Sequence, residues 1–243
     1  MRKFIVILLV GAGLASGITT SAEETTELKG AVLVISVKNL AGKFENEAKV
    51  TKWPATVGQD LINIPATKLT APVYVANSPA GGAAVHFSAG SGLCIPGFSK
   101  QFLAGKSFTI FVRSIPQSQY FGFCGNASNG GAAVPRLFLT AGMFVYNELT
   151  NTVGASQDRY LNQESLFVYR YDAENKIMRM MLNGTVMNEK KNVAPVNNFA
   201  GDALAVPMQV GNKPQEGFLL DIVVFDRVLN DAEIKQTAKF IQQ

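Results

Sequence analysis

The sequence predicts an all-β chain, an antiparallel two-sheet sandwich with a short C-terminal helix. Short apolar runs rich in Val, Ile and Phe recur along it, separated by clusters of Gly, Asn, Asp and Pro. That is the pattern of strands and turns, without a heptad or an internal repeat. Asn183-Gly184, between two such runs, is a two-residue hairpin signal. The stretch from Glu216 to Ile241 then passes from an apolar run through a polar corner into a capped amphipathic segment.

That closing stretch carries the most information. Phe218 to Phe225 is broken only by Asp221, which suits a strand buried on both faces. Asp226 and Arg227 form the corner, and hydrogen bonding by this pair is expected to fix it. Asn230 followed by Glu233 reads as an N-cap with its capping-box acid, and Asp231 adds negative charge to the first turn. Ile234, Ala238 and Ile241 recur at i, i+4 and i+7, the apolar stripe of a short helix.

At the other end, Arg2 and Lys3 precede the apolar run Phe4 to Val10, and Thr20-Ser21-Ala22 offers small residues for cleavage. Residues 1–22 therefore read as a signal peptide, with a single domain over 23–243. The run is too short for the ~20 residues of a membrane span. The expected location is outside the cytoplasm: secreted, periplasmic or on the cell surface. Apolar residues make up 47% of the chain and charged ones 16%, enough for a sizeable core. The formal charge of +4 includes Arg2 and Lys3, and the only basic doublet further on is Lys190-Lys191. No nucleic-acid footprint is present, and uncharged partners fit better.

Cys94 and Cys124 are the only cysteines. In an oxidising compartment they are expected to form one disulfide, contributing roughly 3–4 kcal/mol on the chain-entropy model; two buried free thiols are the alternative. With one histidine, His86, and no CxxC pair, zinc is not expected.

In order, strands are expected over Ala31 to Val37, Val73 to Ala76, Ala83 to Phe87, Ser107 to Arg113 and Tyr120 to Cys124. Further strands follow around Leu137 to Leu139, Met143 to Tyr146, Ser165 to Tyr171, Lys176 to Leu182 and Thr185 to Met187. Trp53, in Val50 to Pro54, reads as core rather than as a sugar platform. In Ser107 to Arg113, Phe108, Ile110 and Val112 face one way; Thr109 and Arg113 face the other, with Phe111 among them. Ser88 to Phe98, Asn147 to Asn162 and Asn188 to Pro207 read as loops or links.

Three motifs carry a family resemblance. They are Phe225-Asp226-Arg227 with Leu229, Asn230, Asp231, Glu233 and Ile234; Gly122-Phe123-Cys124-Gly125-Asn126 after the Ser107 strand; and Tyr171-Asp172 with Arg179 and Leu182-Asn183-Gly184. Together they resemble the laminin-G-like jelly rolls of the concanavalin A-like lectin/glucanase superfamily, over about Ser107 to Ile241. The resemblance implies a jelly roll and a secreted, non-catalytic module that binds carbohydrate or extracellular protein. It places ligands on loops at the sandwich rim or on the concave sheet, with Tyr120, Asn126, Asn129 and Asp158 as candidates. It also implies a possible calcium ion at the rim, with Asp158 and Asn126 as ligands.

The aromatics Tyr120, Phe121, Phe123, Tyr169 and Tyr171 could stack on sugars, although core is the default role of each. The rival class is a glycoside hydrolase or lyase, which needs two carboxyl groups facing one cleft. The E-x-D-x-E strand of the superfamily's glucanases is absent, and Asp221 and Asp226 lie on opposite faces of a regular strand. Glu148, Asp158 and Glu164 show no paired spacing. A structural cell-surface protein is the third class.

Overall fold

A computed structural model describes residues 28–63, 70–119, 121–124, 136–147, 151–197, 204–206 and 215–243. The expected signal peptide lies outside these residues. The first strands are β1 (Leu33–Ser36), β2 (Lys52–Trp53), β3 (Ala55–Val57), β4 (Leu61–Ile62), β5 (Val73–Val75) and β6 (Ala84–Phe87). The middle of the chain gives β7 (Leu93–Ile95), β8 (Phe108–Pro116), β9 (Gly122–Cys124), β10 (Arg136–Thr140), β11 (Met143–Asn147) and β12 (Thr152–Gly154). Then come β13 (Ser165–Asp172), β14 (Ile177–Leu182), β15 (Thr185–Lys190), β16 (Leu204–Val206), β17 (Gly217–Phe225) and the helix α1 (Asp231–Ile241).

These strands form an antiparallel jelly-roll sandwich. Among the described residues, one sheet has nine strands, running β15-β14-β13-β8-β17-β1-β3, with β6 pairing to β17 and β5 to β6. The other has eight, in the order β12-β11-β10-β9-β16-β7-β4-β2. Alternation along β8 and β17 explains how they stack. Phe108, Ile110, Val112, Ile222 and Val224 point inward, meeting Leu137, Leu139, Phe144 and Tyr146 of the far sheet. Phe111, Val223 and Phe225 point outward and pack with Leu229, Ile234 and Ile241 under α1. Around β8 and β17 the nine-stranded sheet is therefore covered on both faces, which is why β17 is buried along its whole length and why Phe111 stands among polar neighbours.

Tyrosine hydroxyls bolt the inner layer. Tyr169 Oη donates to Thr140 O and Tyr171 Oη to Val193 O, both at 2.8 Å, and Val196 N donates to Tyr146 Oη at 3.1 Å. Burial pushes the Tyr146 phenol up to about 12, against the pull of the Val196 amide. Phe121, Tyr169 and Tyr171 are thus core residues and not a sugar platform. Trp53 is fully buried, its Nε1 donating to Ser36 O at 2.9 Å. Asn183 (φ 49°) and Gly184 (φ 79°) make the primed turn that joins β14 to β15.

All three stretches read as loops or links contain a strand, β12 (Thr152–Gly154) lying within Asn147 to Asn162. Leu93-Cys94-Ile95 is β7, within the Gly-rich run around Cys94, and Leu204–Val206 is β16, within the long link before β17. At three residues each, none shows a period. β16 also overturns the expected disulfide. Cys94 is a free, buried thiol. Ala205 pairs with Cys94 on one side and with Cys124 on the other. The two cysteine backbones therefore lie two strand spacings apart, about 10 Å. A disulfide bridges roughly 4.4–6.8 Å between Cα atoms.

Candidate binding site

The site begins with the acid in β17. A register shift between Leu219 and Asp221 sends Leu219 and Leu220 inward and turns Asp221 to the helix side. There it lies opposite Ser36 of β1 and Arg113 of β8. Arg113 Nη1 reaches Asp221 Oδ2 at 3.3 Å, and its Nε reaches Glu164 Oε1 at 2.6 Å. Nη1 also donates to Ile241 O at 3.1 Å, so one guanidinium ties the sheet to the last turn of α1. The Asp221 side chain is only 9% exposed. Burial pushes its carboxyl above the ordinary aspartate value, while the Ser36 hydroxyl and the Arg113 charge pull it back.

Beside this group, β1 runs into a 3₁₀ turn, Val37–Asn39, that brings Asn39 back against β3. Asn39 Nδ2 donates to Pro54 O at 2.9 Å and to Thr56 Oγ1 at 3.0 Å. The result is a cleft of about 90 Å³ between β1, β3, β17 and α1. Its polar lining is Ser36, Lys38, Asn39, Thr56 and Asp221. Val34, Val57, Val223 and Ile241 line it beside these, with the half-buried ring of Phe240. Lys38 and Thr56 are exposed, so solvent reaches the cleft past them.

The corner residues sit at the other end of α1. Asn230 Oδ1 accepts from Ala232 N at 2.9 Å and Glu233 N at 3.0 Å, and Asn230 N donates to Glu233 Oε2 at 2.8 Å, a full capping box. Arg227 Nη1 meets Glu233 Oε1 at 2.8 Å, and its guanidinium lies 5.7 Å from the centre of the Phe225 ring. The expected role of Asp226 needs correction. It is exposed and makes no hydrogen bond or ion pair among the described residues. The corner is instead fixed by buried Thr109 of β8, whose Oγ1 donates to Arg227 O at 3.0 Å and accepts from Leu229 N at 3.1 Å.

Of the rim residues singled out from the sequence, only Asp158 lies among the described residues. Asp158 is exposed on a single 3₁₀ turn, Gln157–Arg159. Tyr120, Asn126 and Asn129 lie outside the described residues. Among those described, no three of His, Cys, Asp and Glu gather as a metal site; Asn126, expected as a calcium ligand with Asp158, lies outside them. The residues sequence reasoning missed are Ser36, Asn39, Thr56, Arg113 and Phe240. One signal for them was legible: Asp221 and Arg113 are each the lone charge on an apolar strand, a cue that the two strands are neighbours in register.

No protein-family model matches the chain, and no curated protein matches it. Solved structures do. Domain 4 of AbnA, a GH43 extracellular arabinanase from Geobacillus stearothermophilus solved with arabinotriose, superposes with a TM-score of 0.57 at 12% identity, over 86% of this chain and 98% of that one. Trypanosoma rangeli sialidase in complex with sialic acid gives 0.57 at 14% identity, over 89% of this chain and 36% of that one. The botulinum neurotoxin serotype G binding domain gives 0.59 at 12%, over 86% and 50%. The chain thus spans nearly all of the arabinanase domain but a third to a half of the other two. At such identities the likeness is one of fold, and the fold is a β-sandwich of the jelly-roll kind.

Proposed function

We propose that this chain is an exported, non-catalytic binding module of the laminin-G-like kind, whose ligand is a glycan or an extracellular protein. The observation that carries the reading is the cleft beside α1, lined by both polar and apolar side chains, one of them an aromatic ring. Such a surface suits a neutral, amphiphilic ligand. The extent of the match to AbnA domain 4, a whole domain solved with arabinotriose, supports the same reading. A hydrolase is less well supported, because Asp221 and Glu164, a pair of acids that converge among the described residues, are both ion-paired to Arg113. Neither is held as a free general acid across a groove. The test is a glycan array probed with the purified chain, with and without calcium, alongside a reducing-end assay on the glycans bound. Saturable binding without release of new reducing ends is expected. Release of reducing ends that an Asp221→Asn or Glu164→Gln variant abolishes would favour the enzyme.

A further inference from the structure

We propose that the cleft between β1, β3 and α1 seats a single uncharged sugar ring, the terminal residue of a glycan, with its apolar face against Phe240. This rests on the glycan-binding reading above and goes further in naming the site and the class of ring. Hydrogen-bonding capacity comes first. Both amide hydrogens of Asn39 are already donated, to Pro54 O and Thr56 Oγ1, and its Oδ1 accepts from Thr56 Oγ1 at 3.3 Å, which leaves that oxygen one further lone pair. The Asp221 carboxylate and the Thr56 hydroxyl add acceptors, and the Lys38 ammonium adds donors. The lining calls for a ligand that both donates and accepts, as ring hydroxyls do.

Charge narrows the class. Lys38 and Arg113 stand against Asp221 and Glu164, so the group is balanced and offers no surplus to an anionic or cationic ligand. Shape and size complete the argument. Hydroxyls can point at Asn39, Thr56 and Asp221 while C–H faces lie on Phe240 and Val57. At about 90 Å³ the cleft is well below the roughly 300–1,000 Å³ of a pocket that encloses its ligand, so it takes the inserted part of one terminal ring and does not thread an oligosaccharide.

The test uses a glycan array of neutral and sialylated structures, probed with the wild type and with the Phe240→Ala, Thr56→Trp and Asp158→Ala variants. Thr56→Trp fills the mouth from an exposed strand position and removes no core packing, so it remains informative should Phe240→Ala unfold. Thermal midpoints are measured in parallel. The expected result is binding to glycans with neutral termini, reduced at least tenfold by Thr56→Trp and by folded Phe240→Ala, and unchanged by Asp158→Ala. Full binding by Thr56→Trp, or loss through Asp158→Ala, puts the site on the rim loops and overturns the cleft while leaving the binding module standing. Binding confined to sialylated glycans overturns the uncharged ring. A wild type that binds no glycan removes both this inference and the glycan reading beneath it.

Discussion

Replacing Arg113 with methionine tests the network that joins the sheet to α1. The substitution keeps an apolar stem of similar reach and removes the cation that Asp221, Glu164 and Ile241 O share. Glu164 is 32% exposed and will be solvated, so the loss falls mainly on Asp221. At pH 7 the orphaned carboxylate can stay charged, at a penalty of about 3–5 kcal/mol. It can instead take up a proton. For a carboxyl whose ordinary pKa is near 4, that costs about 1.4 kcal/mol per pH unit, or about 4 kcal/mol at pH 7. The lost bond to Ile241 O adds about 1 kcal/mol. The expected destabilisation is therefore about 5 kcal/mol at pH 7.

The pH dependence has a definite sign. Burial raises the Asp221 carboxyl in the folded state, so the fold binds that proton more tightly than the unfolded chain does. Stability from this group is fullest below the ordinary aspartate value, declines as pH rises through it, and levels off above the raised folded value. Removing Arg113 lifts the folded value further and extends the decline toward neutrality. Urea unfolding at pH 5 and pH 7 reads this directly, with a deficit of about 2 kcal/mol expected at pH 5, where protonation is cheaper. Adding Asp221→Asn should recover more than half of the loss at pH 7. A deficit under about 1 kcal/mol at pH 7, or one equal at both pH values, would refute the account of Asp221 as a buried acid held by Arg113.

Asn230→Ala removes both bonds to the first turn of α1 and should lower stability by about 1 kcal/mol in urea unfolding, with Asn230→Asp close to wild type. Thr109→Val keeps the shape but strands Leu229 N and Arg227 O, and a loss of about 1–3 kcal/mol is expected by the same measurement. The Cys94 thiol, raised by burial, should react with a thiol reagent only once urea unfolds the chain. Reductant should leave the thermal midpoint unchanged, whereas a fall of more than a few degrees would restore the disulfide.

The fold was legible where local chemistry and tertiary role agree. The capping box at Asn230, the primed turn at Asn183-Gly184 and the alternation of β8 are each written in adjacent residues, and each forms. Legibility failed where the determinant lies far along the chain. Nothing near Leu204 announces that β16 inserts between β7 and β9, so pairing the cysteines from compartment alone missed the strand between them. Asp226 was chosen for the corner because it is adjacent in sequence. Thr109, which holds the corner, comes from a strand that register alone brings there. The cleft was hidden for the same reason: Asn39, Thr56, Asp221 and Phe240 are unremarkable singly and meet only after β1, β3, β17 and α1 assemble.

The positions of β16 and β17 bear on when this chain can fold. One lies between β7 and β9, the other between β1 and β8, so each sheet receives an interior strand from the final part of the sequence. A nascent or threading chain cut short of residue 204 would hold two pairs of separated flanks, their edges unsatisfied, with no local route to closure. Cooperative assembly must therefore wait for nearly the whole polypeptide, and until then the chain remains loose enough to be passed through a narrow conduit or seized by a chaperone.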